Sequence, residues 1–472
     1  MTSPILLWHR RDLRLTDNPA LRWAAAQGRP VLPVFTLDEV VARWGAAPRW
    51  RLGLSLEDFG GRLNGIGSRL VLREGKALDV LRALAAETGA GAVVWNRLYV
   101  EEERRRDTKV KEALRGDGLE ARSFNGHVLH EPWTVETGSG GFYKVYTPFW
   151  KSVRDRDPGD PLGPVEALTP PKSWPDGDDL ADWDLGRAMR RGADVVVGHV
   201  RVGELAARER LDDFIETKVG AYQEARDMMA EDGTSGLSEN LTYGEISART
   251  CWAAGRKAFE AGAPGAETFL KEVVWRDFAH HLAYHTPRLT SENWRPEWDA
   301  FPWRDDNSQA EAWRRGQTGL PIVDAAMREL YVTGRMHNRA RMLVASYLTK
   351  HLMTHWKVGL DWFADCLVDW DPASNAMGWQ WTAGSGPDAS PFFRIFNPET
   401  QADKFDPKGG YRRRWLAEGR AEPTEAALQW FDAIPESWRQ QPGQAYPSEP
   451  VVGLSEGRSR ALDAYSNRVA AE

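Results

Sequence analysis

Cysteine is nearly absent from this sequence, with only Cys251 and Cys366 among 472 residues. Two distant cysteines form neither a disulfide framework nor a metal cluster, so we expect a protein of the reducing cytoplasm. An apolar run of about 20 residues is also missing, which argues against a membrane span, and the N-terminal run is too short for a signal peptide. The formal charge of −7 excludes a generally basic nucleic-acid-coating protein but allows a local basic patch.

The first 125 residues alternate short β-prone runs with amphipathic helical stretches such as 77–87. The β-prone runs are 5–8, 30–35, 69–73, 92–95 and 121–124. This alternation is typical of a doubly wound parallel sheet. The turn after the first run reads HRRDLRLTDNP and contains no glycine, so the fingerprint of a dinucleotide-binding domain is absent.

The length of the chain predicts more than one domain. Proline, glycine and aspartate concentrate over 153–198, as in a long surface connection, and helical periodicity dominates afterwards. Strong helical segments are expected near 203–229, 266–285, 321–333 and 337–355. We therefore expect an α/β domain over 1–130, a connector over 131–200 and a helical domain over 201–472.

Three weaker patterns favour ordinary structure over a site. His281 and His285 lie one helical turn apart, but no Glu or Cys ligand stands beside them, so we favour a pair without metal. The glycine-rich stretch 137–144 lacks phosphate-loop spacing and predicts a hairpin turn. The charge-alternating stretch 101–115 predicts a solvated helix face.

Two segments combine residues that suit a cofactor or a base. Thr234, Ser235 and Ser238 lie in a turn before a helix, which suits either a phosphate or plain helix capping. Glu272 lies three residues before Trp275 and four before Arg276, so the carboxylate shares a helical face with both. This trio suits either a nucleobase platform or an ion pair beside a core tryptophan.

Two further segments point to DNA and to opposed aromatic rings. Residues 328–357 contain six Lys or Arg and one acid, so this stretch predicts either a surface for a phosphodiester backbone or a solvated basic face. In the stretch DPASNAMGWQW, Asn375 and Trp379 share a helix face, while Trp381 points about 200° away from Trp379. These rings either contact two different partners or pack into the core on both sides.

Six sequence motifs occur together and in order: TSGLS, EVVWRDF, TGLPIVDAAMREL, MHNRARM, DPASNAMGWQW and SPFFRIFNP. The combination resembles the photolyase/cryptochrome family across essentially the whole chain, and is most similar to the bacterial class I and class III photolyases of cyclobutane pyrimidine dimers. The resemblance implies a photolyase-like fold, in which an α/β antenna-binding domain precedes an all-α domain that binds FAD and DNA.

The resemblance also implies an enzyme, a carbon–carbon lyase that acts as a monomer on UV-damaged DNA. Excited reduced FAD would donate an electron to a flipped-out cyclobutane pyrimidine dimer, which then splits and returns the electron. A cryptochrome-like blue-light receptor and a flavin oxidoreductase without a DNA partner are the alternatives. The neutral amide of Asn375, the short C-terminal tail and the basic stretch favour repair.

Each matching residue then receives an expected role from the family. FAD binding is expected of Tyr222, Thr234, Ser235, Gly236, Leu237, Ser238, Arg276, Arg341, Asp369, Trp370, Asp371 and Asn375. Lesion and DNA binding are expected of Arg226, Glu272, Trp275, Asn338, Arg339, Met342, Trp381, Arg394 and Gln401. Catalysis is assigned to Glu272, Asn375, Asn338 and Met342, and electron transfer to Trp379, Trp356 and Trp303.

The antenna chromophore is the least determined element of this resemblance. Folate-binding members carry an Asn-Glu pair, whereas this chain reads YVEEERRRD, with Glu103 as the nearest candidate. We expect 5,10-methenyltetrahydrofolate, and the alternatives are a deazaflavin, a lumazine or an empty site. No metal is expected.

Overall fold

The computed structural model describes residues 2–469, and side chains as far as residue 467. In this part of the chain five strands form one parallel sheet: β1 (Ile5–His9), β2 (Val31–Leu37), β3 (Val71–Glu74), β4 (Ala92–Asn96) and β5 (Glu120–Phe124). Their order is β3-β2-β1-β4-β5, and Ile5 of β1 pairs with Val31 on one side and Ala92 on the other. All five strands were predicted from their apolar runs.

Helices cover both faces of the sheet and bury the strands. They are α1 (Pro19–Ala26), α2 (Ala46–Gly65), α3 (Ala77–Thr88) and α4 (Glu101–Gly116). One apolar cluster forms on each face, around Phe35 and Phe59 on one side and Trp8 and Trp95 on the other. This packing on two faces explains why the strands read as continuous apolar runs.

Helices joined by loops make up the rest of the described chain. It contains α5 (Tyr146–Val153), α6 (Gly192–Val196), α7 (Gly203–Asp213), α8 (Tyr222–Ala225), α9 (Ser238–Tyr243), α10 (Ala248–Glu260), α11 (Ala266–His285), α12 (Ser308–Arg314), α13 (Pro321–Thr333), α14 (Asn338–Ser346), α15 (Trp356–Cys366), α16 (Pro372–Ala383), α17 (Pro398–Phe405), α18 (Gly410–Trp415), α19 (Glu425–Ala433) and α20 (Leu454–Val469). An N-terminal α/β domain and a helical C-terminal domain confirm the predicted fold class. None of the helices in residues 2–469 is long and apolar enough to cross a membrane.

Two of the predicted long helices are interrupted. The segment near 203–229 divides into α7, a π-helical turn over Phe214–Lys218 and α8. The segment 337–355 divides into α14 and a π-helical turn over Tyr347–His351, and Met353 then takes a positive φ of 57°. A π turn inserts a residue into the helical hydrogen-bond ladder, which periodicity does not reveal.

Buried charges join the sheet region to the helical region. Arg51 of α2 is fully buried and donates to Glu239 at 2.7 Å and to Glu245 at 2.9 Å. Gly244 ends α9 with φ +67°, and a Cβ there would lie 2.1 Å from the Arg11 carbonyl oxygen. Only glycine allows this close backbone approach. The end of α9 is thereby held against the segment that follows β1.

Candidate active site

Helix α16 presents different side chains to two environments. Asp371 caps its N-terminus by accepting from the Ser374 amide at 2.7 Å, and Asn375 donates to the Leu360 carbonyl at 3.1 Å. Trp379 is 2% exposed and lies with its ring centroid 4.9 Å from that of Phe363, whereas Trp381 is only half-buried. The burial therefore agrees with the prediction that the two indoles face different surroundings.

Asp369 connects three elements just before α16. Its carboxylate accepts two hydrogen bonds from the Arg341 guanidinium, at 2.8 and 3.0 Å, and one from the Ser238 hydroxyl at 2.7 Å. Its carbonyl accepts from Thr242 at 3.0 Å. Charge-assisted bonds of this kind fix the relative positions of α9, α14 and the start of α16.

The turn 234–238 brings hydroxyl groups next to guanidinium groups. Arg210 donates to the Gly236 carbonyl at 2.9 Å, and a Cβ on Gly236 would lie 3.4 Å from a terminal nitrogen of Arg335. Tyr222, which precedes the turn, is buried with its ring 5.0 Å from that of Phe214. Hydroxyls, backbone amides and two arginines are the donor set that a pyrophosphate needs.

A buried polar cluster that the sequence did not reveal lies beside Asp371. His280 Nε2 lies 3.1 Å from Asp371 Oδ2, and Arg276 donates to the His127 carbonyl at 2.6 Å. Burial alone would raise the pKa of Asp371, but His280 holds it well below its ordinary value. Burial and the charge of Arg276 lower the pKa of His127. His127, His280 and Asp371 are close enough to share a metal ion, yet Arg276 already brings a positive charge to this cluster.

Glu272 and Trp275 lie at a different surface of α11. Glu272 forms an ion pair with Arg226 at the end of α8. The half-buried ring of Trp275 stacks on Tyr146, with centroids 3.6 Å apart and planes 7° apart. Tyr146 also donates to the Lys271 carbonyl at 2.6 Å. Sequence reasoning missed Tyr146, because it lies 129 positions before its stacking partner.

Helix α14 adds the remaining side chains of this surface. Asn338, its first residue, is exposed, and Met342 is half-buried one turn later. Arg339 donates to Asp227 at 2.6 Å, next to the Arg226–Glu272 pair. The predicted lesion-contacting residues of α8, α11 and α14 thus come together. Arg394 is exposed in the segment before α17, and Gln401 is half-buried on α17.

The basic stretch 328–357 is not a basic surface, so that prediction was wrong. Arg328 and Lys350 are buried, and Arg328 pairs with Glu418 at 2.7 Å. Arg339 and Arg341 pair with Asp227 and Asp369. Carboxylates distant in the sequence neutralise most of the local excess of positive charge. Counting charged residues along the chain could not show these pairs.

The three predicted electron-transfer tryptophans lie at different depths. Trp379 and Trp356 are buried and Trp303 is half-buried. Trp356 donates to Asn293 at 2.8 Å. The ring of His355 lies between the outer two, with centroids 5.5 Å from both Trp356 and Trp303. Trp370, by contrast, packs its ring on Trp44 in the sheet region, at 5.8 Å.

A cavity at the carboxyl ends of the strands contains Glu103. Its lining includes Arg10, Arg11, Trp44, Glu103 and Arg106. Arg11 donates to Glu103 at 3.2 Å and lies 4.0 Å above the Trp44 ring. Arg105, Lys109, Glu112 and Arg115 of α4 are exposed, as predicted for a solvated face of 101–115, but Glu103, Arg106 and Asp107 are buried. These charges turn inward because they pair with residues that follow β1 and β2.

Comparison with known proteins was made on sequence and on structure. A family model described as DNA photolyase matches residues 5–170, and one described as the FAD binding domain of DNA photolyase matches residues 269–467. The deoxyribodipyrimidine photo-lyase of Agrobacterium fabrum (strain C58) is 45% identical over 98% of each chain. The chain belongs to the DNA photolyase family. Among solved structures, a bacterial class III photolyase from Agrobacterium tumefaciens superimposes with a TM-score of 0.92 at 45% identity, covering 100% of this chain and 98% of its own.

A cryptochrome is also similar to this photolyase-family chain. Cryptochrome-1 of Arabidopsis thaliana is 34% identical over 98% of this chain and 70% of its own. The family confirms FAD as the cofactor, since the FAD-binding model spans α11 to α20. The turn 234–238 and Tyr222 lie outside both matched stretches. Their fit to the FAD phosphates therefore stands on the local donors described above.

Proposed function

We propose that this chain repairs cyclobutane pyrimidine dimers in UV-damaged DNA, using light and FAD bound in the helical region. The observation that carries the proposal is the division of α16, on which Trp379 is buried, Trp381 is half-buried and Asn375 donates to the Leu360 carbonyl. We infer that Trp381 faces the same lesion pocket as Glu272 and Trp275. Reduced FAD supplies, when bound and excited by blue light, the electron that opens the dimer.

The residues that would hold FAD fit the two ends of the cofactor. The turn 234–238 and Arg335 suit its phosphates, and Asp369, Asp371, Arg276 and Arg341 suit its ribityl and isoalloxazine side. The NH₂ group of Asn375 donates a hydrogen bond to the Leu360 carbonyl. Its Oδ1 therefore accepts an N–H bond without placing a negative charge beside a reduced flavin.

The lesion side suits two unstacked pyrimidines. Trp275 and Trp381 offer flat surfaces, and Glu272 accepts hydrogen bonds from the base edges while Asn338 and Met342 complete the pocket. Arg226 fixes the Glu272 carboxylate by an ion pair. With Arg339, Arg394 and Gln401 it also contacts the backbone beside the lesion.

Trp379, Trp356 and Trp303 carry electrons inward when FAD is oxidised. Trp379 and Trp356 are buried and Trp303 is half-buried, so one end of the proposed path reaches the surface, as electron entry from solvent requires. His355 fills the space between the outer pair, and burial lowers its pKa to about 4, so its ring is neutral at physiological pH.

The antenna site lies in the cavity around Glu103, and the α/β unit that contains it extends over about 1–130, followed by a connector to residue 200. Arg10, Arg11 and Arg106 suit the carboxylates of the glutamate tail of 5,10-methenyltetrahydrofolate, and Trp44 suits its ring system. An absorption spectrum of the purified monomer tests this assignment. A near-UV band in addition to the flavin bands supports it, and a spectrum with flavin bands alone contradicts it.

The decisive experiment illuminates the FAD-reduced protein with an oligonucleotide that carries one thymine dimer. Restoration of the two thymines in blue light, and none in darkness, is the expected result. Retained dimers with fully reduced FAD and bound DNA would contradict repair and favour the cryptochrome alternative.

A further inference from the structure

A buried lysine lies under the segment that carries Arg394. Lys350 belongs to the π-helical turn Tyr347–His351 and is 1% exposed. Its ammonium group donates to the Arg394 carbonyl at 3.0 Å and lies 5.3 Å from the Phe392 ring centroid. Lysine is almost never buried without a partner. The partner given by the structure is a backbone carbonyl.

The environment of Lys350 is unfavourable for a charge. Burial, and then the nearby charge of Arg394, lower the pKa of Lys350 to about 7. In the described part of the chain no carboxylate pairs with its ammonium group. Placing an ammonium group here costs stability that methionine would not cost. In return, the ammonium group stabilises the position of the Arg394 carbonyl by its hydrogen bond.

A second contact attaches the same segment to the same helix. The Phe396 amide donates to the Ser346 hydroxyl at 3.3 Å, at the last residue of α14. α17 then begins at Pro398 and carries Gln401. The π turn widens the helix where these two contacts form, and π turns are frequent at functional sites. The element that presents Asn338 and Met342 therefore also holds the chain that presents Arg394 and Gln401.

We propose that Lys350 is a positioning residue for DNA binding, which fixes segment 391–401 relative to the lesion pocket on α14. The inference rests on the proposed repair function, because Arg394 and Gln401 contact DNA only in that function. Lys350 is buried and therefore does not contact DNA at the surface itself. Its removal lowers affinity for damaged DNA and leaves the photochemical step intact.

The test compares FAD-loaded Lys350→Met with Arg460→Met as a matched control. Arg460 donates to the His351 carbonyl from α20, so it supports the same π turn, and among the described residues its side chain has no hydrogen bond or ion pair with segment 391–401. Loss of a hydrogen bond to a charged group predicts an affinity for thymine-dimer DNA about tenfold weaker in Lys350→Met. Repair per absorbed photon at saturating DNA should equal that of the wild type. Arg460→Met should bind DNA as the wild type does.

Limited trypsin digestion measures how accessible segment 391–401 is to cleavage, without DNA or light. Arg394 is exposed, and cleavage after it, identified by mass spectrometry and compared with other cleavage sites, should accelerate in Lys350→Met and not in Arg460→Met. Unchanged cleavage and unchanged affinity in Lys350→Met would overturn the proposal, as would an equal acceleration at all sites. If the wild type fails to repair dimers but cleavage after Arg394 still accelerates selectively in Lys350→Met, the repair function is contradicted and the attachment of the segment is not.

Discussion

The contact between Gly359 and Trp379 offers the sharpest test of the site. Gly359 lies in α15, and a Cβ added there would lie 2.0 to 2.5 Å from three carbons of the Trp379 ring. The ring cannot retreat easily, because Phe363 and Trp313 pack against it at 4.9 and 6.1 Å. Gly359→Ala must therefore displace Trp379 or move α15 away from α16.

Gly378 provides the matched control on α16 itself. It precedes Trp379 and is exposed, and a Cβ added there would meet no atom within 4 Å outside the backbone of its own helix. Alanine gains about 0.5–1 kcal/mol over glycine inside a helix, at either position. Overpacking at Gly359 costs about 1–3 kcal/mol. The two alanine variants should thus differ in stability by about 1–3 kcal/mol, since the helical gain cancels.

Thermal unfolding of both FAD-loaded variants measures this difference. Gly378→Ala should melt at or above the wild-type temperature and Gly359→Ala below Gly378→Ala. Gly359→Ala should also photoreduce oxidised FAD more slowly, while repair by chemically reduced enzyme persists. Trp379→Phe keeps a ring but removes the oxidisable indole, so it should also photoreduce FAD more slowly and still repair dimers when chemically reduced. Identical melting and photoreduction in the two alanine variants would refute the packing of Trp379 on α15.

Three further predictions concern DNA, FAD and pH. Trp381→Ala should weaken binding of thymine-dimer DNA by about 1–3 kcal/mol, the usual contribution of one stacked base, in a gel-shift titration with undamaged DNA as reference. Asp369→Asn removes the charge that Arg341 and Ser238 contact, so FAD retention on gel filtration should fall, and full retention would contradict the FAD assignment. Burial lowers the pKa of His337 from 6.5 to about 4, with Asp227 opposing the shift and nearby arginines adding to it, so stability present above pH 6.5 should be lost as the pH falls toward 4. His337→Asn, which preserves an N-cap, should reduce that loss between melting curves at pH 7 and pH 5, and an unchanged loss would contradict the buried neutral ring.

The sequence predicted the secondary-structure elements well, but it predicted contacts between distant charged residues poorly. The strands and α11 follow from apolar runs and helical spacing, which are local properties of the chain. The ion pair of Arg328 with Glu418 joins residues 90 positions apart, and Arg276 meets His127 across 149 positions. Neither spacing nor composition encodes such a partner. The sequence therefore did not indicate which charged residues of 101–115 and 328–357 are buried, namely Glu103, Arg106, Asp107, Arg328 and Lys350.

The buried pairs also explain how a change in the sheet region would affect the FAD site. Arg51 donates a hydrogen bond to Glu239, and Glu239 also accepts one from Arg210 at 3.0 Å. The guanidinium of Arg210 in turn donates to the Gly236 carbonyl in the turn 234–238. Breaking one partner of such a buried set leaves an uncompensated charge and costs about 3–5 kcal/mol. The turn proposed to bind the FAD phosphates is thus supported from outside the helical region. Its geometry depends on α2, which lies within the residues 1–130 that the sequence assigns to the antenna domain.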